Sequence, residues 1–157
     1  MAELSLTCDT NKTDVEIYQA VWAWFGNRES YFTSPFVKRV ELEEEAEGIK
    51  VTIREEMPLG LGFTMPMVAR AKITGDPAKL EITSRTRMNG YEHVTVLVSF
   101  ARNGGKVELK ERLDFELGRW IGMVPGVNRA MTMVTKKAWL KAHRNVIQSM
   151  GKQIAKL

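Results

Sequence analysis

From Phe36 to Leu117 apolar residues recur at every second position, and turn chemistry interrupts the run at short, regular intervals. A side-chain period of two belongs to strands with one buried face, and a helix cannot hold it. Phe36 to Ala46, Ile49 to Met57, Phe63 to Thr74, Lys79 to Arg87, Tyr91 to Arg102 and Lys106 to Leu117 therefore read as six consecutive strands. Between them stand Glu47-Gly48, Gly75-Asp76-Pro77, Met88-Asn89-Gly90 and Asn103-Gly104-Gly105, all turn signals. Leu4 to Cys8 alternates loosely and adds a first strand, which predicts a seven-stranded antiparallel meander.

Helical spacing flanks this run. Thr13-Asp14-Val15-Glu16 has the order of a capping box, and Val15, Tyr18, Val21, Trp22 and Phe25 follow at intervals of three and four. Gly26-Asn27 ends that helix, and a second short helical piece, Arg28 to Phe32, stops at Ser34-Pro35. After Pro125-Gly126, a stripe of Val127, Met131, Val134, Ala138, Ala142, Met150 and Ile154 predicts one long C-terminal helix. About thirty residues span roughly 45 Å, enough to lie across a curved sheet rather than beside one strand.

Pairing across the hairpins assigns the two faces of the sheet. Val107, Leu109, Glu111, Leu113, Phe115 and Leu117 share one face, while Glu108, Lys110, Arg112, Asp114 and Glu116 share the other, which is the solvent side. Val94, Val96, Val98 and Phe100 then point inward. A three-residue Met88-Asn89-Gly90 loop keeps Leu80, Ile82, Ser84 and Thr86 with them; a two-residue loop would bring in Glu81, Thr83 and Arg85 instead. Across Glu47-Gly48 the inner set is Lys38, Val40, Leu42, Glu44 and Ala46 with Ile49, Val51, Ile53, Glu55 and Met57, followed by Phe63, Met65, Met67, Ala69, Ala71 and Ile73. The polar exceptions are informative, because a buried carboxylate is costly unless paired or wet. Lys38 and Glu55 are placed to meet, or to reach water at a strand end, as Glu44 does beside its turn. Glu111 sits mid-strand between Leu109 and Leu113, too far from a strand end to be rescued that way, and a water-containing cavity would account for it.

Element order, together with the segment LDFELGRWIGMVPGVNRAM (residues 113–131) and the C-terminal helix, resembles the helix-grip fold of START, Bet v 1 and polyketide cyclase-like proteins. The resemblance covers the whole chain, 1–157, as one domain. It implies an α+β architecture: a seven-stranded curved antiparallel sheet wrapped around a long C-terminal helix, with two short helices after strand 1. It also implies a cavity between sheet and helix that holds a lipid or other apolar small molecule, in a carrier or an enzyme. No universal catalytic residue comes with it.

The residues point toward an apolar ligand as well. Met57 to Met67 is an apolar connection with two glycines and two prolines, and Trp120, Ile121, Met123 and Val124 form a second apolar segment before the long helix. Nine methionines supply adaptable, polarizable lining, although lids and gap-filling explain both features equally well. The residues expected to line the space are Lys38, Glu55, Met57, Phe63, Met65, Met67, Ser84, Thr86, Val96, Glu111, Trp120, Met123 and Met131. Transport or binding is the first functional reading. A polyketide cyclase or dehydratase-like enzyme working through Glu111 or Glu55 is the alternative.

Other chemistries have little to build on. The two histidines, His93 on the outer face and His143 on the long helix, do not suggest a triad or metal site, and Gly60-Leu61-Gly62 lacks phosphate-loop spacing. No cofactor or metal is expected. The N-terminal MAELSLTCDTNKTD has no basic or sustained apolar region and Cys8 is the single cysteine, which favour a cytoplasmic protein. Charge is uneven: 118–157 carries eight bases and no acid. Such a helix either presents a solvated face or makes transient contact with an anionic membrane, with nucleic acid the less favoured partner.

Overall fold

The computed structural model describes residues 2–88, 91–117 and 127–157 and turns the alternating run into one antiparallel sheet. Its strands are β1 (Ala2–Asp9), β2 (Val37–Glu45), β3 (Gly48–Gly60), β4 (Phe63–Asp76), β5 (Glu81–Met88), β6 (Tyr91–Asn103) and β7 (Lys106–Leu117). The spatial order is β1-β7-β6-β5-β4-β3-β2, a meander whose last strand pairs with its first. Helix α1 (Asp14–Phe25), a 3-10 turn (Arg28–Tyr31) and the long helix α2 (Val127–Ala155) complete the described elements. Of the two short helices expected after strand 1, only the first is an α-helix.

Helix α1 begins where the capping chemistry requires. The Glu16 amide donates to the Thr13 hydroxyl at 3.2 Å, and the Thr13 amide donates back to the Glu16 carboxylate at 2.8 Å. Those bonds hold the Glu16 carboxyl below the usual carboxylate range. The buried stripe of α1 is Ile17, Ala20, Val21, Trp24 and Phe25, whereas Val15 is exposed, so the helix is rotated relative to the sequence-based stripe. Ile147, Met150, Gly151 and Ile154 are the buried residues of the C-terminal half of α2, and Ala142 is exposed. The Trp24 indole donates to Ser149 at 3.0 Å and ties the two helices together.

Four local features differ from the sequence-based reading. At the start of β2, Val37 stands opposite Glu55 and Arg39 opposite Arg54, so Lys38 is the extra residue of a β-bulge. Lys38 is exposed and does not join the inner face; Val37 takes that place. The β2–β3 turn is Ala46-Glu47, since Glu45 pairs with Gly48, and this two-residue slip leaves the inner set unchanged because the side-chain period is two. Between β5 and β6, Thr86 faces Val94 while Met88 faces Tyr91, so an extra residue on β6 sets the faces, not a three-residue loop. Residues 89–90 of that loop lie outside the described residues. Finally, the apolar connection 57–67 is not a loop. It is the end of the β3–β4 hairpin, closed by Leu61 and Gly62 at φ 52° and 80°, as a two-residue hairpin turn with two positive φ angles requires.

Candidate functional site

The register runs side chains of the inner face into rows across the sheet, and burial changes from row to row. Ile82 and Val98 precede Glu111 in a row that ends on Leu4. The next row is Ile49, Ile73, Ser84, Val96, Leu113 and Ala2, every member at most 8% exposed. These rows form the closed half of the concave face, packed with α1 and the last turns of α2 into one core.

Beyond that row the face opens. Val51, Ala71 and Thr86 align next, and of these only Val51 is fully buried. Val40, Ile53 and Ala69 follow, then Val37, Glu55 and Met67. Ile53, Glu55, Met67 and Ala69 are half-buried, and at the hairpin end Met65 and Phe63 are 40% and 68% exposed. The inward-facing apolar side chains of these rows thus keep accessible surface that the closed rows do not. Burial raises the Glu55 carboxyl above the usual carboxylate range, so it resists ionisation at the edge of this space.

The raised affinity for a proton has a signed consequence. A carboxyl whose folded-state pKa lies above its unfolded value contributes stability below the unfolded value and loses it as pH rises through the folded one. Glu55→Gln is therefore expected to raise Tm at pH 7, with the gain vanishing below about pH 4. A gain that persists unchanged at low pH would refute the burial account.

Glu111 is 1% exposed and points inward, as its neighbours predicted. A histidine meets it in place of the expected water-containing cavity. His143 on α2 places Nδ1 2.6 Å from Glu111 Oε1, within hydrogen-bond distance. Among the described residues Glu111 Oε2 has no hydrogen-bond partner, although it is buried. Nothing in the sequence signals this pairing: His143 stands 32 residues away and is brought over β7 by the fold.

Of the expected lining residues, Glu55, Phe63, Met65, Met67 and Thr86 border the open half, while Ser84, Val96 and Glu111 belong to the closed half. Lys38 belongs to neither. The side chains of Met57 and Met131, and all of Trp120 and Met123, lie outside the described residues. Sequence reasoning missed a second concavity of about 610 Å³, between α1 and the β2–β3 turn, lined by Tyr18, Trp22, Glu44, Glu47 and Gly75 among others. None of the expected residues borders it. Among the described residues no three His, Cys, Asp or Glu side chains gather as a metal site, and no helix is long and apolar enough to cross a membrane.

No protein-family model matches the chain, and no curated protein matches it by sequence. Solved structures do. A START superfamily protein from Mycobacterium smegmatis superposes with a TM-score of 0.63 at 14% identity, covering 98% of this chain and 97% of that one. Norcoclaurine synthase from Thalictrum flavum, in complex with dopamine and hydroxybenzaldehyde, gives 0.67 at 9% identity over 99% and 86%. An aromatase/cyclase from Streptomyces sp. R1128 gives 0.54 at 15% identity over 98% and 94%. With the closed half, the open half and the long helix placed as they are, the chain has the helix-grip fold of the START and polyketide cyclase-like proteins.

Proposed function

We propose that the chain binds an apolar small molecule or lipid against the open half of its concave face. The observation that carries this reading is the row-by-row change in burial: the closed half is sealed by α1 and α2, while Ile53, Met67, Ala69 and Thr86 remain accessible. Apolar surface left in a concavity gains by covering, at roughly 25 cal/mol per Å². The neighbours lend support by analogy, one having been captured with two small aromatic molecules.

Native mass spectrometry after incubation with a mixture of lipids and aromatic small molecules tests the proposal. The expected result is a one-to-one complex that Ala69→Trp, which fills the space without adding charge, abolishes while Tm stays near the parent value. A parent chain that retains nothing from the mixture overturns the reading.

The raised Glu55 carboxyl supports a second reading, acid–base catalysis on the bound molecule in the manner of a cyclase or dehydratase. Glu55→Gln then keeps the ligand and stops its conversion; conversion at an unchanged rate removes Glu55 from the chemistry.

A further inference from the structure

The β3–β4 hairpin outruns its neighbours. The β2 ladder ends at Glu55, with one further bond from the Glu56 amide to the Phe36 carbonyl, and pairing of β4 with β5 ends at Arg70, so the β3–β4 hairpin runs on past both neighbouring ladders to its Leu61-Gly62 turn. About six residues per strand carry it on the order of 20 Å past the rest of the sheet. An isolated two-stranded ribbon is marginal in water, and this one ends in exposed apolar groups: Leu61 is 98% exposed, Phe63 68% and Met65 40%.

Two further features select the surface that would cover it. Each strand of the ribbon carries a proline, Pro58 and Pro66, which removes a backbone donor and disfavours addition of a partner strand. At its foot, on the convex face, the pairs Arg39/Arg54 and Arg70/Arg87 stand side by side, with Arg85 opposite Lys72 one row on. Arg39, Lys50 and Lys72 are ion-paired with Glu41, Glu45 and Glu47. Arg54, Arg70, Arg85 and Arg87 are exposed and, among the described residues, have no carboxylate within ion-pairing distance. Glu56 on the ribbon and Glu41, which is ion-paired with Arg39, are the acids nearest to them in the ladder.

An apolar tip above a cluster of unpaired guanidinium groups fits a surface that is apolar within and anionic at its rim. We propose that the β3–β4 hairpin docks on an anionic lipid bilayer, with Leu61 and Phe63 entering the acyl boundary and Arg54, Arg70 and Arg87 meeting the headgroups. This surface is distinct from the basic face of α2, and the proposal stands whether or not a ligand occupies the concave face.

Co-sedimentation of the full chain with phosphatidylcholine vesicles, with and without phosphatidylserine, is the test. The expected result is retention on the anionic vesicles only, weakened by salt. Leu61→Asp with Phe63→Asp abolishes it, and Arg54→Gln with Arg70→Gln weakens it roughly tenfold or more. Lys141→Glu with Arg144→Glu, exposed changes on α2, leaves binding within about twofold of the parent. All of these positions are exposed, so unaltered circular dichroism is expected throughout. Absence of binding to anionic vesicles, full binding by the aspartate variant, or loss of binding through the α2 changes alone would each overturn the proposal.

Discussion

Replacing His143 with alanine is expected to destabilise the native state by roughly 3–5 kcal/mol, measured by urea unfolding at neutral pH. The size follows from what is left behind. Glu111 is almost wholly buried between Leu4 on β1 and Val98 on β6, and its Oε2 already lacks a partner among the described residues. The imidazole at Oε1 is the hydrogen bond that offsets the burial of the carboxyl group. Removing it leaves both carboxyl oxygens buried without that partner, beside Leu109 and Leu113, which are fully buried. Replacing both partners with leucine removes both buried polar groups together and is expected to recover most of the loss. A His143→Ala variant within 1 kcal/mol of the parent would show that Glu111 is satisfied some other way.

The second large effect is expected at Gly48, where β3 begins. Its φ is +154°, and a Cβ built there would lie 2.0 Å from the carbonyl oxygen of Ile73. That oxygen cannot step aside, because Ile73 is fixed in the ladder between Ile49 and Ser84 and its side chain is buried. Gly48→Ala is expected to cost roughly 3 kcal/mol or more, or on the order of 10 °C in Tm, by forcing β3 away from β4. Glu47→Ala, in the same turn but exposed, is the control and is expected to stay within about 0.5 kcal/mol. Equal losses in the two variants would mean that the turn as a whole, and not the close approach of Gly48, sets the cost.

What the sequence disclosed follows from which signals are local. The two-residue period and the capping residues are local, and the strands, their faces and the start of α1 follow from them. Glu111 was legible as an anomaly because Leu109 and Leu113 fix its face without help from the rest of the chain. The bulge at Lys38 was not legible, because Val37-Lys38-Arg39-Val40 alternates acceptably in either register and only pairing with Glu55 and Arg54 decides between them. Pro58, Gly60, Gly62 and Pro66 read as loop chemistry, although two prolines on edges and a Leu61-Gly62 turn are compatible with a long ribbon. His143 was invisible as a partner because nothing in the spacing of a helix reports which side chain on a distant strand it will cover.

The closing of the meander by its own first strand bears on how the chain reaches this state. Ala2 pairs with Leu113 and Asp9 with Lys106, so β1 finds its ladder only after nearly the whole sheet exists. Contacts that distant carry the full loop-closure entropy and delay assembly, while the β2 to β7 hairpins are free to zip in sequence order. During synthesis the opening segment waits, unpartnered, until β7 has left the ribosome, and α2, which rests on β1, comes later still. Its seating needs β1 and β7 in place, and the Glu111–His143 contact is made when it seats.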